Sequence, residues 1–159
     1  MTSHAFSLPD FVRESNRIEG IHRAPSAAEI HATERFLALP EVTISSLVDL
    51  VAVYAPGARP RFVEGLNVRV GSHMPIRGGP QVQAELQALL LENLRAPYET
   101  HIVYETLHPF TDGNGRSGRA LWLWQMGGIE GAPLGFLHHF YYQTLHRGRP
   151  DAHVGTYSA

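Results

Sequence analysis

The stretch His108-Pro109-Phe110-Thr111-Asp112-Gly113-Asn114-Gly115-Arg116-Ser117-Gly118-Arg119 gathers a histidine, a carboxylate, three glycines, an asparagine and two arginines into twelve consecutive residues. No hydrophobic core requires that mixture. Gly113 and Gly115 permit backbone conformations closed to other residues and bare their N–H groups. The helix predicted from about residue 115 turns its positive end to the same place, so the segment reads as an anion-binding nest. Arg116 and Arg119, three apart at the start of that helix, can grip a polyphosphate through paired hydrogen bonds. Asp112 supplies a hard oxygen ligand suited to Mg²⁺, and His108, across the loop, suits a general base near neutral pH.

These residues resemble the signature of the Fic family, His-Pro-Phe-x-(Asp or Glu)-Gly-Asn-(Gly or Lys)-Arg-x-x-Arg, and match it at every defined position. The resemblance implies an all-α fold, a Fic-type helical bundle with a small β-hairpin flap, and extends from about residue 15 to 147. It implies a protein adenylyltransferase that moves AMP from ATP, with Mg²⁺, onto a Ser, Thr or Tyr hydroxyl of a target protein or of the chain itself. In that reading His108 deprotonates the hydroxyl and Asp112 holds Mg²⁺. Gly113, Asn114 and Gly115 form the anion hole, Arg116 and Arg119 orient the phosphates, and Pro109 and Phe110 shape the loop. Two alternatives stay open: removal of AMP by the same site, with Glu19 orienting a water, and a nucleotide-dependent regulatory module without turnover.

A second resemblance lies near the N-terminus. Ser15-Asn16-Arg17-Ile18-Glu19-Gly20 is similar to the inhibitory motif of Fic proteins, (Ser or Thr)-x-x-x-Glu-(Gly or Asn). It implies that Glu19, which shares one face of a helix over 10–20 with Ser15, pairs with Arg119 and withholds it from the γ-phosphate.

Outward from the loop, apolar residues recur at helical spacing. Ser26 and Glu29 have the form of a capping box opening a helix to about residue 39, and Ile44, Leu47, Val48 and Val51 mark another over 43–54. Val82, Leu86, Leu89 and Leu90 define a helix over 81–95, Pro97 opens one toward residue 107, and the helix after the loop stops at Gly127-Gly128. A last helix is expected over 133–147, carrying His138 and His139. Leu66 to Val70 alternates apolar with polar and is the one strand signal, giving a flap near 65–79. Asn67, Val68, Arg69 and Val70 would form the exposed edge that pairs with a target segment, as the flap does in the family.

Composition narrows the classes further. The chain has 159 residues, 43% of them hydrophobic, which fits a single domain over 1–159. Its formal charge of −2 offers no field for nucleic acid or an anionic membrane. Every positive residue is arginine, which excludes a P-loop or Schiff-base lysine; the absence of cysteine excludes thiol chemistry and fits a cytoplasmic location. His101 and His108 with Asp112 lack the spacing of a zinc or iron site. Trp122 and Trp124 read as core or groove lining.

Overall fold

The structure, a computed structural model, describes residues 5–92 and 95–132. Six α-helices are built within them, and nearly every boundary has a local cause. Helix α1 (Leu8–Ile18) starts before the expected residue 10, because Ser7 and Asp10 cap each other: the Asp10 N–H donates to Ser7 Oγ at 3.4 Å and the Ser7 N–H to Asp10 Oδ2 at 2.9 Å. Its far end is a Schellman turn. Gly20 takes the left-handed conformation (φ 76°), its N–H donates to Arg17 O, and the Ile21 N–H donates to Asn16 O. Glu19 is thereby fixed as the C-cap.

Helix α2 (Ala27–Leu37) opens on the expected Ser26–Glu29 box, and α3 (Ile44–Tyr54) on an equivalent Thr43–Ser46 box. Helix α4 (Pro80–Leu91) begins with proline in its first turn and ends before the expected residue 95; α5 (Pro97–Leu107) has the expected bounds. Helix α6 (Asn114–Gln125) starts on the left-handed N-cap Gly113 and stops at Gly127 and Gly128, both at φ 89°, followed by a short 3₁₀ turn, Ile129–Gly131. The helix expected over 133–147, with His138 and His139, lies outside the described residues.

Helices α5 and α6 pack against each other most extensively. Gly118 makes this approach possible: a Cβ there would lie 2.5 Å from Glu105 Oε1 and 3.0 Å from Tyr104 Cδ1. Phe36, Leu47, Val51, Val82, Leu86 and Leu121 fill the core shared by α2 to α6, while Phe11 and Val12 of α1 bury against Trp122 and Leu123 of α6. Trp124 donates its indole N–H to Leu39 O at 2.8 Å. Among the described residues no helix is long and apolar enough to cross a membrane.

The all-α class stands, but the hairpin needs correction. No strand forms at 66–70; the segment closes on one antiparallel bridge, in which Val70 and His73 exchange N–H to O bonds of 3.0 and 2.9 Å. Inward and outward alternation survives: Val70 is buried and Val68 half-buried, whereas Asn67 and Arg69 are exposed. Side chains take the polar groups that a ladder would have used. Asn67 Oδ1 accepts from the Gly78 N–H at 2.9 Å, and the Arg61 guanidinium donates to Leu66 O and Ile76 O. A strand needs a paired neighbour, and this segment's backbone is tied back to the bundle instead.

Candidate active site

The loop between α5 and α6 is short because it is cross-braced. Asn114 uses both ends of its amide on Phe110: its Nδ2 donates to Phe110 O at 2.8 Å and its Oδ1 accepts from the Phe110 N–H at 2.9 Å. Thr111 pairs with Arg59 through backbone and hydroxyl, and Pro60 bridges Phe110. Phe110 drops into the core. The Asn114 side chain therefore braces the loop, and only its backbone N–H is placed for an anion.

That brace fixes the start of α6 six residues after His108. The N–H groups of Asn114, Gly115 and Arg116 precede the first intrahelical bond, which runs from the Ser117 N–H to Gly113 O at 3.0 Å, and they carry the positive end of the helix dipole. Gly113 holds the left-handed N-cap that aims them, and its own N–H donates to Asp112 Oδ1 at 2.7 Å. Asp112 is exposed, so its second oxygen faces outward, where a hard cation can reach it.

His108 caps α5 in the left-handed conformation (φ 52°, ψ 63°), the one non-glycine residue at positive φ among those described. Nδ1 lies 3.4 Å from Glu105 O; a carbonyl can only accept, so Nδ1 carries the proton and Nε2 is left with its lone pair. Burial, with the Arg61 and His73 charges adding to it, lowers the imidazole pKa to about 4, leaving the ring neutral at physiological pH. His108 is thus a neutral imidazole with Nε2 unprotonated.

The two arginines diverge, contrary to the expectation that they project together. Arg116 runs under the loop, donates to Tyr54 O at the end of α3 and lies 5.8 Å from the centre of the Tyr54 ring; its Nε is buried without a partner among the described residues. Arg119 turns to α1. Its Nε donates to Ser15 Oγ at 2.8 Å, and its terminal nitrogen donates to Ser15 O at 3.0 Å and to Glu19 Oε1 at 2.6 Å. The Arg119 and Glu19 side chains are only 8% and 7% exposed, which makes this a desolvated ion pair. The residues of the N-terminal motif, Ser15 and Glu19, thus meet Arg119 across the interface of α1 and α6.

Helix α1 is pinned in that position. Asn16 donates to Glu29 Oε2 at 2.8 Å, and Arg23 to Glu29 Oε1 at 2.6 Å. Burial alone would raise the Glu29 carboxyl, but hydrogen bonds from Arg23, the Ser26 backbone and Asn16 outweigh it and hold its pKa at about 2. Behind Arg119, burial pushes Glu105 up to about 8 and His101 down to about 3; both are neutral at pH 7, so their 4.0 Å contact is no ion pair.

Two arginines and the positive end of a helix meet here, a combination that favours an anion. The orphaned Arg116 Nε and the three unpaired helix N–H groups fit a polyphosphate, and Asp112 beside them fits the Mg²⁺ that accompanies one. Among the described residues no group of three or more His, Asp and Glu side chains could hold a metal ion by itself. A groove of about 250 Å³, lined by His73, Met74, Ile76, Ile102, Val103 and Leu107, runs between the 66–79 segment and α5. Several contributors had no sequence signal: Arg61, Tyr54, His73 and the Asn16–Glu29 pin. The i, i+4 pair His101 and Glu105 was readable but not singled out.

None of the curated proteins compared with the chain matches it. The model of the Fic/DOC family matches residues 67–126, which include the segment from Asn67 to Val70, His108 and the whole of α6. Over residues 67–126 the chain is similar to the Fic/DOC family, which supports a Fic-domain protein, and that family generally transfers nucleotide groups.

Proposed function

We propose that the protein is an adenylyltransferase that moves AMP from ATP onto a Ser, Thr or Tyr hydroxyl of a target protein and is held nearly silent by Glu19. The observation that carries this reading is one short braced loop with a neutral imidazole at its start and the free N–H groups of a helix N-terminus at its end.

In the transfer, His108 Nε2 takes the hydroxyl proton while the oxygen forms its bond to the α-phosphorus. The bond from that phosphorus to the bridging oxygen breaks, and pyrophosphate leaves. The N–H groups of Asn114, Gly115 and Arg116 receive the negative charge that grows on the phosphoryl oxygens. Arg116 and Arg119 hold the phosphates in line, and Mg²⁺ on Asp112 supplies charge neutralisation when bound. The segment at 65–79 aligns the target chain beside the groove along α5.

The Glu19–Arg119 pair supports the silencing. With Arg119 committed to Glu19 and Ser15, ATP binds without the contact that seats its γ-phosphate, so the α-phosphorus is misaligned for attack. The test is incubation of Glu19→Gly with Mg²⁺, α-labelled ATP and cell extract. Transfer of label to protein supports the proposal. Release of label from a premodified protein by the parent chain, with Glu19 in place, and no transfer by Glu19→Gly makes the chain an AMP-removing enzyme; tight binding with neither makes it a regulatory module.

A further inference from the structure

We infer that Arg61 is a positioning residue, which locks the imidazole of His108 and the 66–76 segment into one unit; this rests on reading His108 as the base. Arg61 is fully buried, yet among the described residues no carboxylate pairs with it. Its guanidinium is satisfied by carbonyls from three places. Nε donates to His108 O at 2.6 Å and the terminal nitrogens to Leu107 O at 2.9 Å, to Ile76 O at 2.9 Å and to Leu66 O at 3.2 Å. Its backbone joins in, the Arg61 N–H donating to Pro109 O and its carbonyl accepting from the Gly79 N–H.

This arrangement does two things that an ordinary core residue would not. The last carbonyls of α5 have no intrahelical donor, and the cation sits at the negative end of that helix, so Arg61 caps α5 through the very residue that carries the base. His108 is left-handed, a conformation that an L-residue keeps only when its surroundings enforce it, and the bond at its carbonyl is such a restraint. The same guanidinium grips both ends of the 66–76 excursion, which has no ladder of its own. His73 adds a second tie from that excursion to the last turn of α5, its Nε2 lying 2.9 Å from Thr106 O. A target chain laid on the segment therefore pulls on the carbonyl of the base. Lysine cannot reproduce the fork, since its three donors radiate from one point.

The test uses the full chain without nucleotide or target, so it is independent of whether AMP transfer is the activity. Ring-nitrogen NMR shifts report the His108 tautomer, and amide exchange at Val70 and His73 reports the segment. In Arg61→Met that still unfolds cooperatively, His108 is expected to pass from the Nδ1–H tautomer to a mixture, and exchange at Val70 and His73 to accelerate about tenfold or more. Arg61→Lys should move both readouts part of the way. Asn67→Ala, which frees the Gly78 N–H only, should speed exchange and leave the His108 signals in place. A folded Arg61→Met with the parental tautomer overturns the inference, as does a change at His108 with parental exchange at Val70 and His73. Should Arg61→Met fail to fold, Arg61→Lys is read instead, with parental values in either readout counting against it. Loss of folding in both shows a structural role alone and also overturns it.

Discussion

Replacing Glu19 with glycine removes one of the three hydrogen bonds that hold Arg119 among the described residues, the one of them that joins opposite charges. The two bonds from Ser15 remain, and α1 stays pinned by Phe11, Val12 and the Asn16–Glu29 bond, so the helix should not leave. A buried charge-assisted hydrogen bond contributes about 1.5–3 kcal/mol, which converts to a roughly tenfold to hundredfold shift toward an Arg119 free for phosphate. Seating the γ-phosphate also corrects the alignment of the α-phosphorus, and a misplacement of that kind costs about another hundredfold in rate. Label transfer from ATP should therefore rise by at least tenfold. The substitution also has a structural signature: Arg119 is left as a buried cation with neutral acceptors, which should lower stability by about 1–3 kcal/mol, and Mg²⁺-ATP should restore more of it than in the parent. Glu19→Gln, which keeps an acceptor and loses the charge, should fall between. The assay pairs labelling with melting curves for parent, Glu19→Gln and Glu19→Gly. If Glu19→Gly melts lower without Mg²⁺-ATP, yet labels a competent target no faster than the parent, the contact exists and does not gate the reaction.

Three further outcomes follow from the geometry. Asp112→Ala should weaken Mg²⁺-dependent ATP binding measured by calorimetry while leaving the melting temperature within a few degrees, because the residue is exposed; equal affinity would put the cation elsewhere. Gly118→Ala forces a Cβ onto Glu105 and Tyr104 and should cost about 1–3 kcal/mol in denaturant unfolding, and a neutral result would mean that α5 and α6 are not in close contact there. Stability should peak near pH 6.5. Below that the unfolded chain protonates His101 and His108, held at about 3 and 4 in the fold, and above it the unfolded chain has already released the proton that Glu105 keeps up to about 8. Each group contributes a slope of about 1.4 kcal/mol per pH unit, so two histidines outweigh one glutamate between pH 4.5 and 6.5, and Glu105 alone lowers stability from there to pH 8. A melting temperature flat across pH 5–8 would contradict these shifts, and Glu105→Gln should remove the alkaline decline.

What was legible in the sequence was whatever local chemistry decides. The Ser26–Glu29 box, Pro97 at the start of α5, and the paired glycines after α6 fix backbone within a few residues, and the structure follows them. The loop from His108 to Arg119 was legible because its composition serves no core. The errors fall where partners come from afar. Alternation at 66–70 promised a strand, but pairing depends on a neighbour, and Arg61 and Asn67 took the carbonyls and the N–H first. Arg61 itself sits between Pro60 and Phe62 in a stretch without period, so nothing nearby marks it as buried. Arg116 and Arg119 were expected to act together from their spacing of three; Tyr54 and Glu19, distant in sequence, draw them apart.

The central claim is that His108 drives transfer of the nucleotidyl group rather than the terminal phosphate, and the position of the label decides it. Glu19→Gly and the double variant Glu19→Gly with His108→Ala are incubated with Mg²⁺, extract, and ATP labelled at either the α- or the γ-phosphate. Protein should be labelled from the α-position only in Glu19→Gly, and from neither position in the double variant, which should still bind Mg²⁺-ATP. Label arriving from the γ-phosphate, or α-label arriving without His108, would contradict it.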